Sequence, residues 1–130
     1  MRSLAREIVF KYIFSTLFVN DDNGLYDVLS LELNSNDKIF ANKILNTIIE
    51  NKDNYLNELE KLSIGYNLDR LYNTDKCALL VGMAELNAFP ETDLPIVIDE
   101  AVKLCAKYST EKSTDFVNGI LAKYSRNIGR

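Results

Sequence analysis

The stretch that decides the fold runs from residue 98 to residue 124. It begins Ile98-Asp99-Glu100-Ala101-Val102-Lys103-Leu104-Cys105-Ala106-Lys107-Tyr108 and ends Phe116-Val117-Asn118-Gly119-Ile120-Leu121-Ala122-Lys123-Tyr124. In its first half Ile98, Ala101, Val102, Cys105 and Tyr108 recur at intervals of three and four, which aligns them on one face of a helix. Leu94-Pro95 just upstream fits a helical first turn, where proline is tolerated because its missing N–H has no partner there anyway. In its second half Phe116, Val117, Ile120, Leu121 and Tyr124 form another such stripe. Ser109 to Thr114 is polar and reads as a loop, with Ser113 as a plausible cap for the helix that follows. Two amphipathic helices joined by a short loop bury their stripes against each other and against further helices.

Outward from this pair, helical periodicity continues and strand-like alternation bounded by turns is absent. Residues 3–19 read as a helix with Ser3 as a possible cap. Its polar stripe is Ser3, Glu7, Lys11 and Ser15, with Glu7 placed to pair Lys11, and its otherwise apolar circumference suggests a central helix. Asn20-Asp21-Asp22-Asn23-Gly24 is a turn, and a short helix is expected from Leu25 to about Leu33. Ser35-Asn36-Asp37 is the next cap signal. Ile39, Phe40, Ile44, Leu45, Ile48 and Ile49 follow, then Tyr55, Leu56, Leu59 and Leu62. The interruption at Asn51-Lys52-Asp53-Asn54 leaves one long kinked helix or two helices, ended at Gly65. Leu68 to Tyr72 reads as a short helix. Thr74 or Asn73 caps the next, with Cys77, Ala78, Leu80, Val81, Ala84 and Leu86 as its apolar set. The reading is an all-α, single-domain bundle of about six to seven helices over residues 1–130.

The chain has 130 residues, 47% of them hydrophobic, which suits one domain with one core. It has no histidine, so the commonest general base and metal ligand is missing. Cys77 and Cys105 form no CxxC pair and read as small buried hydrophobes. Neither a P-loop nor a GxGxxG pattern occurs among the five glycines. These absences point to a binding protein rather than an enzyme, with no cofactor and no metal. No apolar run approaches the roughly 20 residues of a membrane span, and the N-terminus lacks a signal pattern, so cytoplasmic residence is expected. The net charge of −4 is unevenly spread. Residues 1–18 carry three bases against one acid, residues 103–130 six bases against two acids, and residues 19–102 six bases against sixteen acids. An acidic body with basic ends is compatible with two partner surfaces or with ordinary solubilising charge.

The last third carries a more specific signal. Asn73-Thr74-Asp75-Lys76-Cys77-Ala78-Leu79-Leu80 and Ala84-Glu85-Leu86 precede Ile98-Asp99-Glu100-Ala101-Val102-Lys103-Leu104 and Phe116-Val117-Asn118-Gly119-Ile120-Leu121. This ordered set resembles the NusB family of bacterial transcription antitermination factors, whose pattern has an I-N-E-A-V-x-L-A helix, a short loop ending in Ser, and F-V-N-G-V-L. Ala5-Arg6-Glu7 and Phe14-Ser15 resemble the family's N-terminal A-R-x-x-A-x-x-x-L-Y-S. Resemblance is strong over residues 73–126 and moderate over 3–18, while residues 20–70 match only in helical pattern.

The resemblance implies an all-helical fold without catalysis. It implies binding of single-stranded boxA RNA, cooperatively with the ribosomal protein NusE, in the RNA polymerase antitermination complex on ribosomal RNA operons, together with a part in rRNA maturation. The positions that match RNA-contacting ones are Arg2, Arg6, Asp69, Tyr108 and Phe116, with Lys112 and Ser113 at the helix start that the loop delivers. Cations suit the phosphates, flat rings suit the bases, and helix N-termini offer backbone donors to phosphate. Phe14 and Asp75 match the NusE-facing surface. The arginine cluster is thinned, with Ser3 and Leu4 at positions often basic, which implies weaker RNA binding and a shallower salt dependence. Other departures are Lys11, Leu80, Ala84, Ser109 and the shifted Pro95. Three alternatives stand beside this reading: a helical protein–protein adaptor with weakened or lost RNA binding; the RNA-binding front domain of an rRNA cytosine methyltransferase, for whose catalytic half 130 residues leave no room; and a homodimer formed through the RNA face.

Overall fold

The computed structural model describes residues 2–18, 24–63 and 72–130. Among them lie six α-helices and no strand: α1 (Arg2–Ile13), α2 (Leu25–Leu29), α3 (Ser35–Leu62), α4 (Asn73–Ala88), α5 (Leu94–Tyr108) and α6 (Glu111–Asn127). A π-helical turn, Phe14–Phe18, continues α1, and a 3₁₀ turn, Ser30–Glu32, extends α2. The all-α bundle expected from the periodicity is what forms. Asp69, Gly65 and the helix expected to begin at Leu68 lie outside the described residues, as does most of the turn from Asn20.

The central helix is α4, not the N-terminal one. Every residue from Cys77 to Leu86 is buried, and α1, α3, α5 and α6 all pack on α4. The physical reason is side-chain size and polarity. Between its large apolar residues α4 carries small ones, Ala78 and Gly82 on one face and Ala84 on another, and neighbours approach closely there. A Cβ on Gly82 would come within 2.8 Å of a Leu121 methyl from α6 and 3.4 Å of Ala101 Cβ from α5. α1 keeps a solvent face at Arg2, Ser3 and Lys11 and buries Ala5, Ile8, Val9, Phe10 and Ile13.

α3 resolves the choice left open by its polar interruption. It is one continuous helix of 28 residues, about 42 Å long. Asn51 stays helical, its Nδ2 donating to the Thr47 carbonyl at 2.8 Å. Beyond it, Tyr55 and Leu59 return to the core. The α3 N-cap is Asn34, one residue before the expected triplet, and its Oδ1 accepts from Asp37 N at 2.8 Å. Pro95 occupies the first turn of α5, as expected. The cap of α6 is Thr110, which accepts from Ser113 N at 3.3 Å, rather than Ser113 itself. The chain end is tied back by Arg130, which donates to the carbonyls of Leu86 and Thr92. No helix among the described residues is long and apolar enough to cross a membrane.

Candidate RNA and partner interface

α1 and α5 lie side by side and run the same way. Ser3 Oγ donates to Glu100 Oε1 at 3.0 Å, and one turn on Lys107 Nζ donates to Glu7 Oε1 at 2.6 Å. The seam is bordered by cations whose side chains reach solvent: Lys11 at 44%, Lys107 at 61% and Lys103 at 72% exposure. Glu7 gathers three of the seam's groups. It accepts from Lys107 and from the Tyr108 hydroxyl, and Lys11 Nζ lies 3.9 Å away. The Lys107 and Tyr108 hydrogen bonds hold the Glu7 carboxyl below the ordinary glutamate value. Partial burial, then the Glu7 contact, pushes the Tyr108 hydroxyl up. Tyr108 also stacks on Phe10, with ring centroids 4.9 Å apart and planes at 25°. Both of its ends are therefore fixed, and its ring is held rather than free to swing.

The two expected N-terminal arginines part company. Arg2 is exposed, its guanidinium 4.6 Å from the Phe40 centroid and 5.5 Å from that of Phe89. Arg6 is 4% exposed and does not stand beside Arg2 as a second solvent-facing cation. Its Nε and Nη2 each donate at 2.6 Å to the two oxygens of Glu85, and its Nη1 lies 3.7 Å from Glu100. The cause is Glu85, a carboxylate with no exposed surface on the central helix. Buried there without a counter-charge it would be strongly destabilising.

Asp75, expected to face a partner, is also turned inward, at 2% exposure. Its Oδ2 accepts from Ser113 Oγ at 3.0 Å and its Oδ1 from Cys105 Sγ at 3.3 Å. Ser113, expected at the RNA surface, is 8% exposed. Together the three tie the starts of α4 and α6 to the end of α5. Lys112 is exposed at the first turn of α6, and Phe116, one turn on, is half-buried against the core. Phe14 and Tyr108, assigned to different partners by resemblance, line one mainly apolar cleft of about 330 Å³ with Phe10, Leu25, Leu29 and Thr74. Phe14 stands where α1 widens into its π-helical turn, a distortion common at functional positions. Asp69 lies outside the described residues.

The sequence reading missed Glu85, Phe10, Lys107 and the Phe40–Phe89 pair. Glu85 had a signal of its own, because a lone acid in the run from Cys77 to Leu86 requires a buried cation. No metal-binding group of three or more acidic or sulfur ligands occurs among the described residues.

The sequence pattern of the NusB family matches residues 1–126. This chain belongs to the NusB family. A transcription antitermination protein NusB from Finegoldia magna is 39% identical over 106 residues, covering 76% of this chain and 77% of its own. That of Carboxydothermus hydrogenoformans is 31% identical over 135 residues, covering 98% and 94%. Among solved structures, NusB from T. maritima superposes with a TM-score of 0.85 at 27% identity, covering 97% of this chain and 91% of that one. A structure of NusB and NusE in complex with double-stranded RNA matches at a TM-score of 0.81 and 27% identity, covering 97% and 96%. The NusB fold thus extends over nearly the whole chain, including residues 24–63, where the sequence resembled the family in helical pattern only.

Proposed function

We propose that this protein is a transcription antitermination factor that binds single-stranded boxA RNA jointly with the ribosomal protein NusE, within the RNA polymerase antitermination complex on ribosomal RNA operons, and so aids rRNA maturation. The observation that carries this reading is the α1–α5 seam, where solvent-facing cations border a cleft holding a fixed aromatic ring. Arg2, Lys11, Lys103 and Lys107 supply charge for phosphates. The cleft around Phe14 and Tyr108 supplies an apolar seat, and Lys112 and Phe116 extend the surface onto α6. Arg6, Asp75 and Ser113 serve by holding this face together, as positioning residues. An acidic body suits a basic ribosomal protein as partner.

The test is RNA binding by fluorescence anisotropy with and without NusE across a salt series. Weak binding alone and tight binding with NusE is the expected result. No binding to boxA RNA at low salt with NusE present would overturn it. One observation favours a second reading, a helical protein–protein adaptor with weakened RNA binding: of the two arginines expected to meet phosphate, only Arg2 reaches solvent. NusE capture without any RNA shift would decide for the adaptor.

A further inference from the structure

Arg2 and Lys43 approach one aromatic ring from two different helices. The Arg2 guanidinium carbon lies 5.5 Å from the Phe89 centroid, and Lys43 Nζ lies 4.7 Å from it. Both cations are exposed residues, while Phe40 and Phe89 beneath them are buried and packed together, centroids 4.8 Å apart. The ring faces attract the cations and restrict the long side chains that carry them, so less conformational entropy remains to be lost when an anion arrives.

Lys43 is also at the rim of a second cleft, of about 430 Å³, framed by α3, α4 and the end of α6. Its walls are mostly amides and hydroxyls: Thr47, Asn51 and Asn54 from α3, Asn87 from α4 and Tyr124 from α6. The floor is built rather than incidental. Asn87 Nδ2 lies 2.7 Å from the Tyr124 hydroxyl oxygen, 3.1 Å from that of Tyr55 and 3.0 Å from the Met83 carbonyl. Asn54 is exposed on the wall and offers both donors and an acceptor, the complement of a base edge. Lys43 is the charged residue of the lining and the other lining groups are neutral, which favours a ligand with its anionic part at Lys43 and its neutral, hydrogen-bonding part inside.

We propose that this cleft is a nucleotide subsite, in which an RNA strand held at Arg2 crosses Phe89, places a phosphate at Lys43 and inserts a base among Thr47, Asn54 and Asn87. The inference rests on the RNA-binding reading above and extends the path from α1 onto α3, away from the α1–α5 seam. It predicts that RNA longer than the core boxA element gains affinity through this face. The same strand-tracking logic applies to single-stranded RNA sites generally, where cations follow the backbone and neutral groups read the base.

The experiment compares a core boxA RNA with two RNAs extended by a few nucleotides, one on each side, all titrated with NusE present. One extended RNA should bind about five- to tenfold tighter than the core, equivalent to roughly one added phosphate contact with its base. Lys43→Ala should lower the salt slope for that RNA by about 0.7, the value for one contact on a single strand, and leave core binding unchanged. Asn54→Trp, which fills the cleft from an exposed position, should abolish the gain without lowering the melting temperature. Equal affinity for core and extended RNAs, or a Lys43→Ala effect of the same size on all three, would overturn the subsite while leaving the RNA reading intact. Failure of every RNA to bind would reject both.

Discussion

Arg6 and Glu85 form a two-pronged ion pair in the interior, Nε to Oε1 and Nη2 to Oε2, both at 2.6 Å, joining the first helix to the central one. The guanidinium also lies 5.2 Å from the Phe40 ring centroid, so one side chain links α1, α3 and α4. Removing one partner leaves the other charge buried and unpaired. Arg6→Ala should therefore cost about 3–5 kcal/mol, read from urea denaturation. The double variant Arg6→Met with Glu85→Leu should lose less than Arg6→Ala alone, because no orphan charge remains. A loss below about 1 kcal/mol for Arg6→Ala would show that the pair does not hold the bundle.

Asp75 is a fastening point between helices. Ser113 and Cys105 both donate to it, and its side chain has almost no surface. Asp75→Ala should lower stability by about 1–3 kcal/mol, the cost of leaving buried donors without an acceptor. Asp75→Asn, which keeps one acceptor oxygen, should lose less. Asp75→Lys should be the most damaging of the three and should lose helical circular dichroism at lower urea than the wild type. If Asp75→Lys melted like the wild type yet no longer captured NusE, the side chain would have to act at the surface instead.

These two residues show where sequence reading reached its limit. Periodicity gave the helices, since apolar spacing in α5 and α6 reports burial directly. It ranked the helices wrongly, because apolar coverage of residues 3–19 looked more complete than that of α4, whose small residues permit closer packing than their hydrophobicity suggests. The direction of a polar side chain is set by partners far away in sequence. Arg6 meets Glu85 across 79 positions and Asp75 meets Ser113 across 38. Resemblance named residues on α1, α4, α5 and α6, and only contacts could separate those whose side chains face solvent from those that are buried. Phe14 and Tyr108 were picked out singly, and their sharing one cleft follows from the packing of α1 against α5 rather than from spacing in either.

Both cysteines should be inert in the folded protein. Burial raises the Cys77 thiol far above its ordinary value, and burial together with Asp75 pushes Cys105 up to about 12. Thiolate, the reactive form, is therefore scarce near neutral pH. A disulfide-exchange reagent at pH 8 should label neither residue on the timescale of minutes and should label both in urea. Rapid labelling of Cys105 without denaturant would mean that the α4–α6 fastening opens readily.

Glu7 makes the seam sensitive to acid. Its carboxyl in the folded protein lies below the ordinary 4.5, chiefly through the hydrogen bond from Lys107 and then that from Tyr108. A lowered folded pKa means that the ionised form is favoured by folding. Its stabilisation is complete above the unfolded value, near 4.5, and is lost as pH falls through the lower folded one. Other carboxylates titrate in the same range, so the informative quantity is the difference in melting temperature between wild type and Glu7→Gln. That difference should be constant well above 4.5 and shrink as pH falls below 4.5 and through the lower folded value. Salt should reduce it as well, because Lys107 is exposed. A difference that stayed the same from pH 7 to pH 3 would show that the Glu7 charge contributes nothing to joining α1 to α5, and that the neutral hydrogen bonds available to glutamine are enough to hold Tyr108 in place.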